Sequence, residues 1–512
     1  MPLLKEDFQP REYQKNIAET ALNKNCLVVL PTGIGKTFIA ILVAAKKLEK
    51  YPESKVLMLA PSRPLVNQHM EVFKKYFNLD ESDFIALTGK IIPEKRIGIY
   101  DKVKIIFSTS QLIQNDIENG KLNLSNVSLL IVDECHRSVK KYSYPFVAKK
   151  YMLQSKYPLI LGLTASPGGT SEKIQEICDN LFIKTVEIRS EVDTDVERYV
   201  KPIQREWIYV DFPEEFQKVR TLLEEVLKDD LYWLREHHYT FTYTPTKKML
   251  LEIQKRITAR YIQGSRNYAV FWAMMRVIGA VKIEHAIELL ETQGISFLFD
   301  YLKRLEASKK KTDTRILKDT RMREAIKITE QLNAKGIDHP KLEKIVNVIK
   351  DIVREKSDSK IIVFANYRAT VNRINELLKK EGLTSEILIG QATKEGKGLS
   401  QQEQIEVLRK FANGEFNILC GTSISEEGLS IPDVDDVIFY ESVPSEIRSI
   451  QRRGRTGRTA PGKVIYLITK GTLDEKLYWT SFHKERKMKG ILYDMKGKEV
   501  KRSKTNLLDW AK

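Results

Sequence analysis

Three short segments carry residue types and spacings suited to phosphate chemistry. In Leu30-Pro31-Thr32-Gly33-Ile34-Gly35-Lys36-Thr37, an apolar run gives way to two glycines and then to a helical pattern. Glycines let a backbone turn its N–H groups inward, and the start of the next helix adds partial positive charge. Pro31 through Thr37 therefore read as a phosphate cradle. Lys36 can reach the β- and γ-phosphates, and the Thr37 hydroxyl can ligand Mg²⁺. The strict G-x-x-x-x-G-K-[ST] spacing is not met, because Leu30 stands where the first glycine would be. An ordinary glycine-rich turn is the alternative.

The second segment, Ser128-Leu129-Leu130-Ile131-Val132-Asp133-Glu134-Cys135-His136, is an apolar strand ending in two acids. Ligands gather outside the carboxyl ends of such strands. Asp133 is the candidate to hold Mg²⁺, and Glu134 the candidate to orient and deprotonate an attacking water. The plainer alternative is an acidic cap on the next helix. His136 reads as a polar bridge to a neighbouring segment rather than a metal ligand.

The third segment is Gln451-Arg452-Arg453-Gly454-Arg455-Thr456-Gly457-Arg458. Guanidinium forks pair bidentately with phosphate and stay charged. Gln451, Arg455 and Arg458 are candidate catalytic residues, with the two arginines as fingers on a transferring γ-phosphoryl group. A solvated basic turn is the alternative. With the cradle in one domain and the fingers in another, ATP at the interface would draw the domains together and hydrolysis would release them.

Elements must place these segments. Continuous apolar runs at 26–30, 56–60, 104–108, 129–132 and 159–163, separated by helical stretches such as 36–50, predict a parallel sheet covered on both faces. From about 213 to 335 the alternation stops. Leu298, Tyr301, Leu302 and Leu305 fall at helical spacing, so this stretch reads as a helical insert with its own core. It ends in a basic segment, Lys309-Lys310-Lys311 through Arg323. The aromatic residues Tyr232, Trp233, Tyr239, Phe241 and Tyr243 are expected in that core, with stacking on unpaired bases as the alternative. His339-Pro340 marks a boundary. Strand patterns return at 360–364, 416–420, 437–440 and 464–468, and the lysine-rich end from about 483 is expected to fray. The fold class expected is α/β, with two parallel-sheet domains flanking an α-helical insert. The expected boundaries are 1–205, 206–338, 339–485 and a basic tail at 486–512.

Composition sets the limits. The chain has 512 residues, 42% hydrophobic and 30% charged, which excludes wholesale disorder. Four scattered cysteines form no CxxC pair, so neither a disulfide framework nor a structural zinc site is expected. No membrane partner is expected, because charges interrupt the apolar stretches, and a cytoplasmic location follows. The formal charge of +17 suggests a polyanionic partner, most simply nucleic acid.

Taken together, the segments resemble a superfamily 2 helicase with two RecA-like domains. Arg11-Glu12-Tyr13-Gln14 looks like the adenine-reading segment, with Gln14 on the adenine edge. Segments resembling the backbone-gripping motifs supply the nucleic-acid candidates Ser62, Arg63, Thr88, Thr109 and Gln111 in the first domain, and Arg368, Gln391 and Thr422 in the second. Thr164-Ala165-Ser166-Pro167-Gly168 looks like the coupling motif. Glu288-Leu289-Leu290-Glu291-Thr292-Gln293-Gly294, Leu87-Thr88-Gly89 and Pro444-Ser445-Glu446-Ile447-Arg448-Ser449-Ile450-Gln451 narrow the resemblance to the archaeal Hef helicase and its relative, the Fanconi anaemia M translocase.

The resemblance implies an ATP- and Mg²⁺-dependent DNA helicase or translocase acting on forks and junctions in repair. It also implies nucleoid association in a prokaryote and a separate nuclease or replication-fork protein as partner. Cleavage is not expected of this chain, because the nuclease signature of many Hef proteins, a Glu-Arg-Lys run in an acidic context, is not recognised. Two departures stand out. Cys135 replaces the family's usual alanine and matches the form seen in Dicer and the double-stranded-RNA sensors, which leaves a double-stranded-RNA-dependent ATPase as the alternative. Ser430 stands where aspartate is usual. A binding module with a silent ATPase is opposed by the intact Lys36, Asp133, Glu134, Arg455 and Arg458.

Overall fold

The computed structural model describes residues 3–89, 92–140, 142–264, 268–391, 398–422, 431–457 and 460–500. Their first sheet has seven parallel strands: β1 (Cys26–Val29), β2 (Lys55–Ala60), β3 (Phe84–Leu87), β4 (Ile105–Thr109), β5 (Val127–Val132), β6 (Ile160–Thr164) and β7 (Thr185–Ile188). They lie in the order β3-β4-β2-β5-β6-β1-β7. Helices cover both faces, and a separate apolar cluster fills each side. That is why β1, β5 and β6 are buried at every residue and lack alternation. The order sets the end of β5 one strand away from the end of β1.

The second sheet is also parallel: β8 (Ile203–Val210), β9 (Ile361–Phe364), β10 (Ser385–Leu388), β11 (Ile418–Gly421), β12 (Asp436–Phe439) and β13 (Gly462–Thr469), in the order β10-β11-β9-β12-β13-β8. Four strands escape the sequence pattern: β3, β7, β8 and β10. All four are sheet edges. Edge strands are half-covered or carry charge, such as Glu187 in β7, so they lack the continuous apolar run that marks an inner strand. The expected boundary at 205/206 falls inside β8. The chain joins the second sheet, pairing with β13 from Ile203↔Gly462 to Val210↔Thr469, before it enters the insert.

The insert's helices are Glu214–Glu236, Lys247–Ile262, Tyr268–Thr292, Ile295–Glu306, Lys311–Leu317 and Thr320–Ala334. They enclose two apolar clusters, one near the domains and one towards the far end. Leu298, Leu302 and Leu305 are buried in the first, as their spacing predicts. The aromatic group divides. Trp233 and Tyr239 pack against the distal cluster, whereas Tyr232, Phe241 and Tyr243 are 60%, 92% and 50% exposed, contrary to the core expectation. They sit at a helix end and on the loop after it, where no element covers them. The basic segment divides as well. Lys309, Lys310 and Lys311 are exposed, while Arg315 forks onto buried Asp230 at 2.8 and 2.6 Å and Arg321 pairs with Asp319 at 2.7 Å.

The 288–294 motif anchors the insert to the second domain. Gln293 Nε2 donates to Glu441 Oε1 at 2.6 Å, and Thr370 donates to Gln293 Oε1. Glu291 accepts from the Leu473 N–H at 2.7 Å. Gly294 holds φ +97°, and a Cβ there would lie 2.8 Å from Asp338 Oδ1 and 2.9 Å from the His339 nitrogen. His339 caps the helix Pro340–Glu355, so the expected boundary coincides with a helix start.

The expected fraying from about 483 is not found in the described residues 483–500; the rest of the expected tail, 501–512, lies outside the described residues. The helix Leu473–Met495 runs on through this region. Its Met488 and Leu492, with Val500 beyond it, are buried in the first domain's core. Apolar residues at i and i+4 fasten a segment whose lysines alone suggested a loose end.

Candidate active site

The cradle is built as its glycines demand. Gly33 and Gly35 hold φ +84° and +86°, which turns the loop between β1 and the helix Lys36–Lys50. Gln14 braces it from behind. Its Oε1 accepts from the Arg11 N–H at 2.8 Å, and its Nε2 donates to the carbonyls of Ile34 and Gly35 at 3.3 and 3.4 Å. Gln14 is 2% exposed, and a Cβ on Gly35 would lie 2.4 Å from its Nε2. Its Nε2 thus contacts the loop carbonyls and also Tyr13 Oη, at 3.4 Å. Lys36 Nζ donates to the carbonyls of Leu30 and Pro31 at 3.1 and 3.3 Å, lying along the loop between them. Thr32 Oγ1 is buried against Gly454 and finds no hydrogen-bond partner among the described residues, so this loop hydroxyl is an unsatisfied polar group.

Asp133 follows β5 and is buried. Its Oδ2 lies 2.8 Å from His69 Nε2, and its carbonyl accepts from Tyr144 Oη at 2.9 Å. Burial alone would raise its carboxyl pKa, but His69 and the Lys36 ammonium hold it below the ordinary aspartate value. An ionised carboxylate near Lys36 is a hard oxygen donor of the kind that Mg²⁺ takes together with phosphate oxygens. The residues present therefore fit a Mg²⁺–nucleotide. Glu134 sits on a left-handed turn at φ 47°, ψ 47°. His136 Nδ1 is in hydrogen-bond contact with Thr164 Oγ1 at 3.1 Å and lies 3.1 Å from Glu134 Oε2, within ion-pair range, so the ring sits between the acid and the 164–168 segment. Cys135 is fully buried and its thiol pKa is pushed well up by that burial, so it packs rather than reacts. Its Sγ lies 3.2 Å from where a Cβ on Gly162 would be.

The second domain closes on the cradle. Ile450, on the helix Glu446–Arg453, packs into the first domain's core. A Cβ on Gly454 would lie 1.3 Å from Thr32 Oγ1, so only glycine permits this approach. A narrow crevice lies here, lined by Thr32, Gly33 and Ile34 on one side and by Arg453, Gly454 and Gly457 on the other. Gln451 is buried at this helix end, and its Oε1 has no hydrogen-bond partner among the described residues. Two of the four arginines are committed elsewhere. Arg452 is fully buried, donates to Asn366 Oδ1 at 3.2 Å and lies 5.0 Å from the Phe364 ring centroid. Arg453 donates to Glu485 Oε2 at 2.7 Å. Arg455, half-buried, directly follows the glycine that touches the loop. Arg458 and Ser430 lie outside the described residues.

The nucleic-acid candidates occupy matching places in the two sheets. Ser62 and Arg63 follow β2, Thr88 follows β3, and Thr109 ends β4 with Gln111 just beyond. Arg368 follows β9, Gln391 follows β10 and Thr422 follows β11. All are at carboxyl ends of parallel strands. Arg63 and Gln111 are exposed. Arg368 Nη2 donates to the Gln391 carbonyl at 2.7 Å, which ties two candidates together, while Thr422 is buried. Sequence reasoning missed His69, Tyr144, Gln293 as an anchor and the Gly454 approach. A lone histidine in Asn67-Gln68-His69-Met70 carries no signal, and only tertiary contact reveals the others.

Residues 7–169 match the family described as "Type III restriction enzyme, res subunit", and residues 340–460 the "Helicase conserved C-terminal domain". Residues 215–336 match a helical bundle of the "Putative ATP-dependent RNA helicase" description. The crystal structure of the Pyrococcus furiosus Hef helicase domain superposes with a TM-score of 0.75 at 46% identity, covering 94% of this chain and 100% of that one. The chain belongs to the Hef family of superfamily 2 helicases. Other relatives of this Hef-family chain include a Methanocaldococcus jannaschii protein named "Putative ATP-dependent RNA helicase MJ1505", 45% identical over 96% of the chain. The Schizosaccharomyces pombe "ATP-dependent DNA helicase fml1" is 32% identical over 91% of it. The Drosophila melanogaster "DEAD-box ATP-dependent DNA helicase Fancm" is 30% identical over 94%. The chain spans 62%, 58% and 34% of these relatives' lengths. Among the described residues no helix is long and apolar enough to cross a membrane.

Proposed function

We propose that this Hef-family chain is an ATP-dependent DNA helicase or translocase that acts on branched DNA, forks and junctions, in repair and replication-fork processing. ATP with Mg²⁺ supplies a scissile γ-phosphate when bound. Lys36 and the loop N–H groups would hold the phosphates, and Thr37 and Asp133 would hold the metal. Glu134, oriented by its left-handed turn and by His136, takes the proton of the attacking water. Arg455, which directly follows the Gly454 contact, and Arg458 would neutralise charge on the transferring group. Ser62, Arg63, Thr88, Thr109, Gln111, Arg368, Gln391 and Thr422 grip the DNA backbone.

One observation carries the preference for branched DNA. The insert presents three uncovered aromatic rings, Tyr232, Phe241 and Tyr243, in a stretch (232–263) that holds six Lys or Arg against two Glu. Rings can stack on bases that a branch point leaves unpaired, and the basic rim suits the converging phosphates. The second reading is a double-stranded-RNA-dependent ATPase. The RNA-helicase names of the insert's family and of the M. jannaschii relative favour it. A separate nuclease or fork protein is the partner class such a remodeller would serve, with nucleoid association in a prokaryote.

The test is steady-state ATP hydrolysis with single-stranded DNA, duplex DNA, forked DNA and double-stranded RNA, with Lys36→Ala as the dead control. The proposal expects the fork to stimulate most, and Phe241→Ala to lower the fork's advantage over the single strand. Lys309, Lys310 and Lys311 changed together to Ala should weaken fork binding more than single-strand binding. Strongest stimulation by RNA would overturn the DNA assignment.

A further inference from the structure

The helix Leu473–Met495 belongs to both halves of the molecule. Near its start, Tyr478 sits in the second domain's core and accepts a hydrogen bond from Trp207 Nε1 at 2.6 Å. Near its end, Met488 and Leu492 sit in the first domain's core, Tyr493 Oη donates to Ser190 Oγ at 2.9 Å, and the Val500 N–H donates to the Lys184 carbonyl at 2.9 Å. A continuous helix transmits displacement along its axis, because every turn is tied to the next. Two motor segments touch its middle. Ser166 Oγ donates to Met488 Sδ at 3.0 Å, and a Cβ on Gly169 would lie 3.1 Å from Lys484 Cβ. On the other side, Arg453 Nη2 donates to Glu485 Oε2 at 2.7 Å, with both side chains largely buried.

We propose that this helix is the transmission between the two domains, and that Glu485 is the positioning residue at its centre. Through Arg453 it sets where Gly454 and Arg455 meet the phosphate loop. The inference rests on the ATP-driven reading of the site but not on the preference for branched DNA. The contacts form one continuous chain. Glu134 meets His136, His136 meets Thr164, the Ser166 N–H donates to Thr164 Oγ1 at 3.1 Å, and Ser166 meets Met488. One helical turn back, Glu485 holds Arg453. A change at the hydrolytic acid and the pose of the arginine segment therefore bear on neighbouring residues of one rigid element. Glu485 is suited to the role because its carboxylate is buried yet ionised. Burial would raise its pKa, but Arg453 and Lys489 hold it below the ordinary value. Such a pair, with Lys489 Nζ also 3.1 Å away, fixes direction better than apolar contact does.

The test measures ATP turnover with and without plain single-stranded DNA, and strand displacement per ATP, in the full chain. Glu485→Gln keeps the shape and removes the charge. The expected result is a fall in kcat of about 5–20-fold with the KM for ATP within about twofold, and a larger fall in strand displacement. Glu485→Asp should recover part of kcat. Arg453→Lys, which keeps the charge but loses the fork, should show the same split and serves if Glu485→Gln folds poorly. Met488→Ala should lower displacement, and its combination with Glu485→Gln should cost less than the product of the two losses. Unchanged kcat in Glu485→Gln, a loss that merely tracks the folded fraction in thermal melts, or fully multiplicative losses in the double variant would each overturn the proposal. The split is read on unstimulated turnover too. Failure of DNA to stimulate the unsubstituted chain would then count against the functional reading and not against this one.

Discussion

Gly454 and Glu441 show how much a single position decides. Gly454 lies on Thr32 so closely that a methyl group must push the arginine segment off the phosphate loop. Gly454→Ala should lower ATP turnover by about 10–100-fold while the melting temperature moves by only a few degrees, since misplacement of about 1 Å is enough for such a loss. Steady-state kinetics beside a thermal melt checks both halves. Glu441 is a different case. It is buried, so its carboxyl pKa is pushed up to about 7 from 4.5, despite hydrogen bonds from Gln293 and the Asn366 N–H and the nearby Lys341 ammonium. Between those two pH values the folded chain holds a proton that the unfolded chain lacks. Stability therefore falls as pH rises through the window, by about 1.4 kcal/mol per unit and at most roughly 3 kcal/mol in all. Glu441→Gln should flatten the slope of melting temperature against pH between 5 and 7. An unchanged slope would mean that other groups set it.

At the scale of elements, the insert is held by its 288–294 motif rather than by broad packing. Gly294 combines φ +97°, ψ −167° with close neighbours at Asp338 and His339. That backbone region is essentially closed to residues with a Cβ and costs about 1–3 kcal/mol to hold. Gly294→Ala should therefore loosen the insert from the second domain. Hydrogen exchange should rise in 288–300 and along Pro340–Glu355, with little change in the first domain. Uniform change across the chain would contradict a local anchor. The edge strands make the complementary point. β3, β7, β8 and β10 were silent in the sequence because an edge needs no unbroken apolar run, yet β8 takes the chain into the second sheet before it enters the insert.

For the molecule as a whole, charge governs how it meets a polyanion. A chain with formal charge +17 that neutralises about six phosphates should lose roughly a thousandfold in DNA affinity between 50 and 200 mM salt. Arg63 is exposed at the carboxyl end of the first sheet. Arg63→Ala should lower the slope of log affinity against log salt by about one without altering the melting temperature. Binding titrations at four salt concentrations would decide it, and an unchanged slope would remove Arg63 from the phosphate-gripping set.

Sequence alone determined the parts whose chemistry is local. A glycine-bearing loop before a helix, two acids after an apolar strand and an arginine cluster mark a candidate phosphate site by residue type and spacing, because the strands and turns that hold them are written in adjacent residues. The inner strands and the helical insert were legible for the same reason. Tertiary structure decided whatever depends on contact between distant residues. It split the aromatic group into three exposed rings and two packed ones, and paired two of the four arginines with Asn366 and Glu485. It made the expected loose end a helix docked on the first domain. Those outcomes turn on which surfaces are left uncovered once the domains have met, and no run of neighbouring residues records that.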